Sequence, residues 1–179
     1  MERSIIISGF GGQGVILAGK ILAQAGMNHG LEVTWLPSYG PEMRGGTANC
    51  TVVLSDEAIG SPIIDEPTAL IAMNLPSLDK FEQSIAAGGT IVVNRSLVDR
   101  RVERSDVTTR YLDMNAIARD EVGNPRAINM VALGAYVKAS GAIPLQVVKD
   151  TMADSMSKSG KDKFIEMNER ALDAGYTTV

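Results

Sequence analysis

The sequence predicts an α/β fold: a three-layer sandwich with a mostly parallel β-sheet, followed by a helical C-terminal part. Short β-branched runs alternate with helical stretches in the N-terminal part of the chain, which is the pattern of a parallel sheet with crossover helices. A glycine-rich turn joins the first strand to the first helix, as in Rossmann-like folds. From residue 128 onward the apolar pattern is helical throughout. With 179 residues, the chain is expected to form a single domain spanning 1–179.

The strands are predicted from apolar, β-branched runs bounded by glycine or polar residues. The first is the run of three isoleucines at 5–7, which ends before Gly9. The continuous apolar character of this run is typical of a strand that is buried on both faces. Further strands are predicted at 33–36, 48–54, 69–73, 90–94 and 107–112.

The helices are predicted from apolar residues that recur at helical spacing. Gly30 is placed to end the first helix, and Asn74 with Pro76 is placed to begin the second. The predicted helices span 15–27, 76–85, 113–122, 128–139, 145–156 and 161–174.

Composition excludes several classes of function. Hydrophobic residues make up 45% of the chain and charged residues 21%, so the chain can bury a core. The 17 basic and 21 acidic side chains give a formal charge of −4, which argues against binding to nucleic acid or to an anionic membrane surface. The sequence shows no signal-peptide pattern and no apolar run of membrane-spanning length, so we expect a cytoplasmic protein.

Cysteine and histidine are too few for a metal centre. Cys50 is the only cysteine and His29 the only histidine, whereas iron–sulfur clusters and structural zinc sites normally need several ligands. We therefore expect no metal and no catalytic nucleophile–base pair in this chain.

The glycine turn is the first candidate binding site. Residues 9–14 are GFGGQG, which satisfies G-x-G-x-x-G directly between a strand and a helix. Glycines at this point allow a tight turn and let backbone N–H groups at a helix N-terminus approach an anion. The candidate binding residues are Gly9, Gly11, Gly12, Gln13 and Gly14.

Other interpretations of the glycine turn stay open. A dinucleotide site normally has an Asp or Glu at the end of the second strand, but that strand ends at Leu36-Pro37-Ser38. The glycines could instead serve only the close packing of strand and helix. Residues 14–21 nearly match a P-loop, but Ile21 stands where Ser or Thr is needed, so nucleotide hydrolysis is not expected.

A second candidate lies in the loop after the second strand, where residues 38–46 are SYGPEMRGG. Arg44 is followed by two glycines, and an accessible guanidinium can bind a carboxylate or phosphate through two parallel hydrogen bonds. Alternatively, Arg44 pairs with Glu42 in an ordinary crossover loop. In an open parallel sheet both loops lie at the carboxyl ends of the strands, where ligands bind, and Asn74 and Asn94 could share that edge.

A charged segment follows the strand at 90–94. It contains Arg95, Arg100, Arg101 and Arg104, interleaved with acidic residues. Such a pattern is usually a solvated face, although it could also dock a partner.

Three motifs together resemble the gamma subunit of 2-oxoacid:ferredoxin oxidoreductases: the GFGGQG turn at 9–14, the SYGPEMRGG loop at 38–46 and NLPSLDKF at 74–81. The similarity also covers NMVALGA at 129–135 and the closing helix, so it extends over most of the chain. It is strongest to the subunits of 2-oxoglutarate enzymes, followed by those of branched-chain 2-oxoacid and pyruvate enzymes.

The resemblance implies one subunit of an enzyme that decarboxylates a 2-oxoacid, here 2-oxoglutarate, transfers the acyl group to coenzyme A and reduces ferredoxin. Thiamine diphosphate, magnesium and iron–sulfur clusters are then expected in partner subunits: alpha, beta and, where the complex has one, delta. The isolated chain is expected to be inactive and able to form a homodimer. For the GFGGQG turn and Arg44 the resemblance suggests contact with coenzyme A or, alternatively, with a neighbouring subunit. The rival functions are an independent NAD(P)-binding oxidoreductase and a purely structural scaffold.

Overall fold

The computed structural model describes residues 2–38 and 47–179. Its six-stranded sheet has the order β2-β3-β1-β4-β5-β6. The strands are β1 (Glu2–Phe10), β2 (Glu32–Ser38), β3 (Thr47–Ser55), β4 (Ala69–Ala72), β5 (Thr90–Asn94) and β6 (Thr108–Leu112). Every predicted strand is present. Strands β1, β2 and β3 are longer than predicted because residues at their ends continue the ladders, whereas β5 has the predicted bounds and β4 and β6 are each one residue shorter.

The sheet is mostly parallel, as predicted. Strands β1, β4, β5 and β6 pair in parallel, and β3 pairs antiparallel with both β1 and β2. Because β3 alone is reversed, β1 and β2 end, and β3 begins, at one edge of the sheet. In the register, Phe10 lies opposite Thr47 and Ser38 lies opposite Asn49. We call this side the carboxyl edge, and the predicted binding loops leave the sheet there.

The helices agree with prediction in order and differ at some ends. They are α1 (Val15–Asn28), α2 (Leu75–Phe81), α3 (Met114–Ala116), α4 (Ile128–Ser140), α5 (Leu145–Lys158) and α6 (Ile165–Thr178). The helix predicted at 113–122 is only a single α-turn, α3, continued by a π-helical turn at Ile117–Glu121. The last helix starts later than predicted, after a 3₁₀ turn at Asp162–Phe164, and runs past Gly175.

Each face of the sheet is covered, which gives three layers, but the two coverings differ in size. On one face, α1, α4, α5 and α6 enclose the larger core, in which α4 is buried over most of its length. The other face carries α2 and the segment at 95–107, packed on a smaller core. That core consists of Ile6, Leu70, Ala72, Leu78, Ile85, Ile91, Val93 and Val98.

The segment at 95–107, which we call the arginine strap, is bound to the protein and is not a free charged face. Glu82, 1% exposed, accepts hydrogen bonds from the backbone N–H groups of Glu103 (2.5 Å) and Arg104 (3.3 Å). Arg100 lies 2.8 Å from the other carboxylate oxygen of Glu82. Arg104 also donates to the carbonyl of Ile85. The arginines therefore hold the strap in place, and the prediction of a solvated face is wrong for this part of the segment.

Within the described residues, no helix is both long enough and apolar enough to cross a membrane.

Candidate functional site

The glycine turn is closed by reciprocal hydrogen bonds between Phe10 and Gln13. The backbone N–H of Gln13 donates to the carbonyl of Phe10 (3.1 Å). In return, the backbone N–H of Phe10 donates to Oε1 of Gln13 (2.6 Å). The side-chain oxygen of Gln13 therefore serves the shape of the turn, while β1 ends at Phe10 and α1 begins at Val15.

Gly9 and Gly14 are required by packing. A Cβ at Gly9 would lie 2.6 Å from Oε1 of Gln13 and 3.0 Å from Cβ of Met73. Gly14 has a left-handed backbone conformation, with φ +75°, and a Cβ there would overlap the side-chain amide of Asn129. The packing interpretation of the motif therefore holds for these two glycines.

Gly11 and Gly12 are different, because both are exposed. Gly12 has φ +93°, and a Cβ built on it would meet none of the described residues within 4 Å. Packing within the described residues therefore does not explain Gly12. A glycine that is surrounded by open space allows a ligand to approach the backbone closely.

The N-terminus of α1 opens beside these exposed glycines. No side chain caps it, and Gly14 is the N-cap residue. Within the described part of the chain, the backbone N–H groups of Val15, Ile16 and Leu17 have no acceptor. The free N–H groups and the partial positive charge of the helix end favour an anion such as a phosphate.

Asn129 connects this site to α4. Its side-chain Nδ2 donates to the carbonyl of Gly14 (3.2 Å), and its Oδ1 accepts from the backbone N–H of Met130 (3.0 Å). Asn129 is 5% exposed. The N-terminus of α4 therefore lies against the N-terminus of α1. In the sequence, Asn129 is marked only by the family resemblance and has no predicted role.

At the carboxyl edge, Asn94 and the side-chain oxygen of Asn74 hydrogen-bond within the protein, whereas Nδ2 of Asn74 is buried and has no partner among the described residues. Nδ2 of Asn94 donates to the carbonyl of Met73 (3.1 Å) and to Oδ1 of Asn115 (2.9 Å). Oδ1 of Asn74 accepts from the backbone N–H of Ser77 and caps α2. Asn74 and Asn94 do share this edge, as the sequence suggested, but Asn74 caps its own helix and the hydrogen bonds of Asn94 connect neighbouring elements of the fold.

Arg44 and the rest of the loop at 39–46 lie outside the described residues, so the structure does not test the role suggested for Arg44. The flanking residues Ser38 and Thr47 stand at the carboxyl edge, with Thr47 opposite Phe10 in the register. These positions are consistent with the prediction that the glycine turn and the loop after β2 leave the sheet at the same edge.

The dinucleotide interpretation lacks its acidic partner in the described residues. Strand β2 ends at Leu36-Pro37-Ser38. The only acidic residue of β2 is Glu32, at its opposite end, paired with Ser55 in the register. A ribose hydroxyl at the glycine turn would have no carboxylate from the end of β2 to bind it.

The described residues do not fit an iron–sulfur cluster or another metal centre. No group of three or more His, Cys, Asp or Glu side chains there could hold a metal ion. Cys50 is fully buried, its thiol donates a hydrogen bond to the carbonyl of Val15 (3.7 Å), and burial raises the pKa of this thiol from 9.0 to about 11. A thiol that stays protonated at neutral pH is a poor metal ligand and nucleophile.

The fold and the site together define a class: an α/β subunit with an exposed glycine turn at a helix N-terminus, and without cofactor ligands among its described residues. The family model "Pyruvate ferredoxin/flavodoxin oxidoreductase" matches residues 4–178. The chain belongs to this family, and its resemblance to the gamma-type subunits is confirmed by the relatives and structures that follow.

Two curated relatives differ in their length. The ketoisovalerate oxidoreductase subunit VorA of Methanothermobacter thermautotrophicus is 42% identical over 97% of this chain, but only 36% of that subunit is covered. The 2-oxoglutarate synthase subunit KorC of Methanocaldococcus jannaschii is 35% identical over 98% of this chain and 93% of its own length. The chain therefore spans about a third of one relative and nearly all of the other.

Two solved structures share the fold. The gamma subunit of a keto/oxoacid ferredoxin oxidoreductase from Geobacter sulfurreducens has a TM-score of 0.84 and 30% identity, covering 98% of this chain and 97% of that one. The 2-oxoglutarate:ferredoxin oxidoreductase of Magnetococcus marinus, solved with 2-oxoglutarate, coenzyme A and succinyl-CoA bound, has a TM-score of 0.87 and 26% identity. The match covers 99% of this chain and 31% of that one.

Proposed function

We propose that this chain is the gamma-type subunit of a 2-oxoacid:ferredoxin oxidoreductase. The complex would convert a 2-oxoacid and coenzyme A to acyl-CoA and CO2, and pass two electrons to ferredoxin. Alpha and beta subunits, with a delta subunit in complexes that have one, would carry thiamine diphosphate, magnesium and the iron–sulfur clusters. The family match and the absence of a fitting ligand set in the described residues both support this division of labour. We place the complex in the cytoplasm.

The observation that carries the proposed role is the exposed part of the glycine turn. Gly11 and Gly12 lie beside the uncapped N-terminus of α1, where N–H groups have no acceptor among the described residues. A phosphate of coenzyme A is the anion that the family's chemistry brings to such a site. In this proposal Gly11 and Gly12 admit the phosphate, Gly9, Gln13 and Gly14 shape the turn, and Arg44 supplies a countercharge.

A charge placed at Gly12 tests this role. In Gly12→Asp the new Cβ would meet no described residue within 4 Å, so the side chain should repel a phosphate without disturbing the core. The matched control is Gly30→Asp, because Gly30 has φ +85°, also has nothing within 4 Å, and lies just beyond the other end of α1. Both substitutions carry the same backbone strain and the same charge.

The assay is the assembled complex, with the KM for coenzyme A measured at saturating 2-oxoacid. We expect Gly12→Asp to raise that KM at least tenfold, equivalent to about 1.4 kcal/mol of binding energy, while Gly30→Asp leaves it unchanged. Equal KM values for Gly12→Asp and the native complex would refute contact between the turn and coenzyme A and favour a scaffold role.

The preferred 2-oxoacid is proposed to be 2-oxoglutarate, on the sequence resemblance and on the full-length match to KorC. A branched-chain 2-oxoacid is the second candidate, because VorA has the higher identity, 42% against 35%. Purified complex assayed with 2-oxoglutarate and with 2-oxoisovalerate decides between them by the ratio of kcat/KM. A ratio above ten in favour of 2-oxoisovalerate would overturn the first choice.

An independent NAD(P)-dependent enzyme is the remaining rival. It predicts that the isolated chain binds NADH, which can be followed by fluorescence from Trp35, the only tryptophan. We expect no saturable binding at micromolar NADH and no activity of the isolated chain, which could still form a homodimer through surfaces that its partners would otherwise cover.

A further inference from the structure

We infer that Asn129 is a positioning residue for the anion site at the glycine turn: it fixes the orientation of the Gly14–Val15 peptide through its hydrogen bond to the Gly14 carbonyl. This inference rests on the proposed function of the turn. Asn129 does not itself need to touch the ligand.

Two hydrogen bonds fix the orientation of the Gly14–Val15 peptide group. The carbonyl of Gly14 accepts two hydrogen bonds, from the backbone N–H of Ala18 (3.0 Å) and from Nδ2 of Asn129 (3.2 Å). In a planar trans peptide the C=O and N–H bonds point in opposite directions. When the carbonyl of Gly14 is held towards α1 and Asn129, the N–H of Val15 must therefore point away, out of the helix N-terminus.

Gly14 needs such a restraint more than most residues. Its backbone is left-handed, with φ +75° and ψ 20°, and glycine can leave this conformation at little cost. Asn129 fills the space that a Cβ of Gly14 would occupy. The same side chain therefore supports the glycine by contact and holds its carbonyl by a hydrogen bond.

Asn129 is itself rigidly held. It is 5% exposed, and its Oδ1 accepts from the backbone N–H of Met130. It lies in the first turn of α4, which is buried over most of its length. The anchor for the turn thus comes from an element 115 residues away in the chain. The contact of Asn129 with Gly14 also places the positive end of the α4 dipole next to that of α1. The two dipoles together strengthen the positive field that an anion at the glycine turn would feel.

The first test variant is Asn129→Asp in the assembled complex. It keeps the size of the side chain and the acceptor for Met130, but replaces the donor to Gly14 with a carboxylate. We expect the KM for coenzyme A to rise about tenfold, because the loss of one hydrogen bond weakens binding by about that factor. The kcat and the KM for the 2-oxoacid should stay within twofold. This split distinguishes positioning from a general loss of structure.

The matched control is Asn168→Asp. Asn168 is 6% exposed and its Nδ2 donates to the carbonyl of Phe164 (2.9 Å) at the start of α6, so it has the same kind of buried contact away from the turn. We expect the control to lower thermal stability without changing the KM for coenzyme A. If Asn129→Asp does not assemble, Asn129→Ala removes the donor without adding charge, and the same rise in KM is expected.

The outcomes separate this inference from the proposed function. A raised KM in Gly12→Asp with a native KM in the Asn129 variants would overturn the positioning role and leave the coenzyme A site standing. A native KM for coenzyme A in Gly12→Asp and in the Asn129 variants would overturn both the coenzyme A site and the positioning role. Equal changes in Asn129→Asp and Asn168→Asp would show a purely structural role for Asn129.

Discussion

Gly134 of α4 lies directly against the backbone carbonyl of Leu172 of α6. A Cβ at Gly134 would overlap that carbonyl oxygen, and a Cβ at Gly175 would overlap the carbonyl oxygen of Val131 in return. Two glycines, one on each helix, therefore allow the helices to approach at backbone distance. This close pair fixes α4, the helix that carries Asn129 to the glycine turn.

The first prediction concerns this helix pair. Gly134→Ala and Gly175→Ala should each lower the free energy of unfolding by about 2 kcal/mol, because overpacking exceeds the roughly 1 kcal/mol that alanine gains in helix propensity. Chemical denaturation of the isolated chain measures this. Gly60→Ala is the control, since nothing lies within 4 Å of a Cβ at Gly60. Unchanged stability in both helix variants would show that the helices can separate at no cost.

The second prediction concerns the arginine strap. Glu82→Gln should destabilise the chain by about 2 kcal/mol, because Arg100 loses its buried carboxylate partner, Glu82, and keeps only the exposed Asp79. Hydrogen exchange at the backbone N–H groups of Glu103 and Arg104 should increase, since both donate to Glu82. Asp120→Asn is the control: its ion pair with Arg119 is exposed, so its loss should leave the stability nearly unchanged.

The third prediction concerns pH. Burial raises the pKa of Cys50 to about 11 in the folded chain, against an ordinary value of 9.0. A raised thiol pKa means that the folded state holds its proton more tightly, so this contribution to stability is complete below pH 9 and is lost as the pH rises towards 11. Burial raises the pKa of Tyr136 in the same direction, to about 12. Denaturant midpoints should fall over this range, and less steeply in Cys50→Ala.

The same thiol gives a check by chemical modification. At pH 8, iodoacetamide should leave Cys50 unmodified in the folded chain and alkylate it in denaturant, as read by mass spectrometry. Rapid alkylation of the folded chain would contradict the burial and the raised pKa of Cys50.

The fourth prediction concerns Arg44, which lies outside the described residues. If it supplies a countercharge to a phosphate of coenzyme A, Arg44→Ala should raise the KM for coenzyme A at least tenfold in the assembled complex. Arg44→Lys should recover part of the loss, because it keeps the charge but not the paired donors. A native KM in Arg44→Ala would restrict the site to the glycine turn.

Much of the fold was predictable because its patterns are local. The isoleucine run of β1 and the helical spacing after residue 128 fix the main elements. The reversed direction of β3 is not visible in its β-branched composition, which a parallel strand shares. The signal for it lies in the connection from β2, which is shorter than the dozen or more residues that a parallel crossover needs. The π-helical turn at Ile117–Glu121 has no distinct spacing either.

The candidate site was predictable only in part. The GFGGQG motif locates the turn, but it does not separate Gly12, which faces open space, from Gly9 and Gly14, which serve packing. The contact of Asn129 with Gly14 joins residues far apart in the chain, and no local pattern reports it. Likewise, the charges of the strap resemble a solvated face until the buried position of Glu82 is known.

The most direct test of the central claim is reconstitution of the complex from its separate subunits, with this chain present or omitted. The measurement is CoA-dependent reduction of ferredoxin by a 2-oxoacid, together with release of CO2. We expect activity only when this chain is present, and none from this chain alone. Full activity with a native KM for coenzyme A in its absence would contradict the claim that it is a functional subunit of the oxidoreductase.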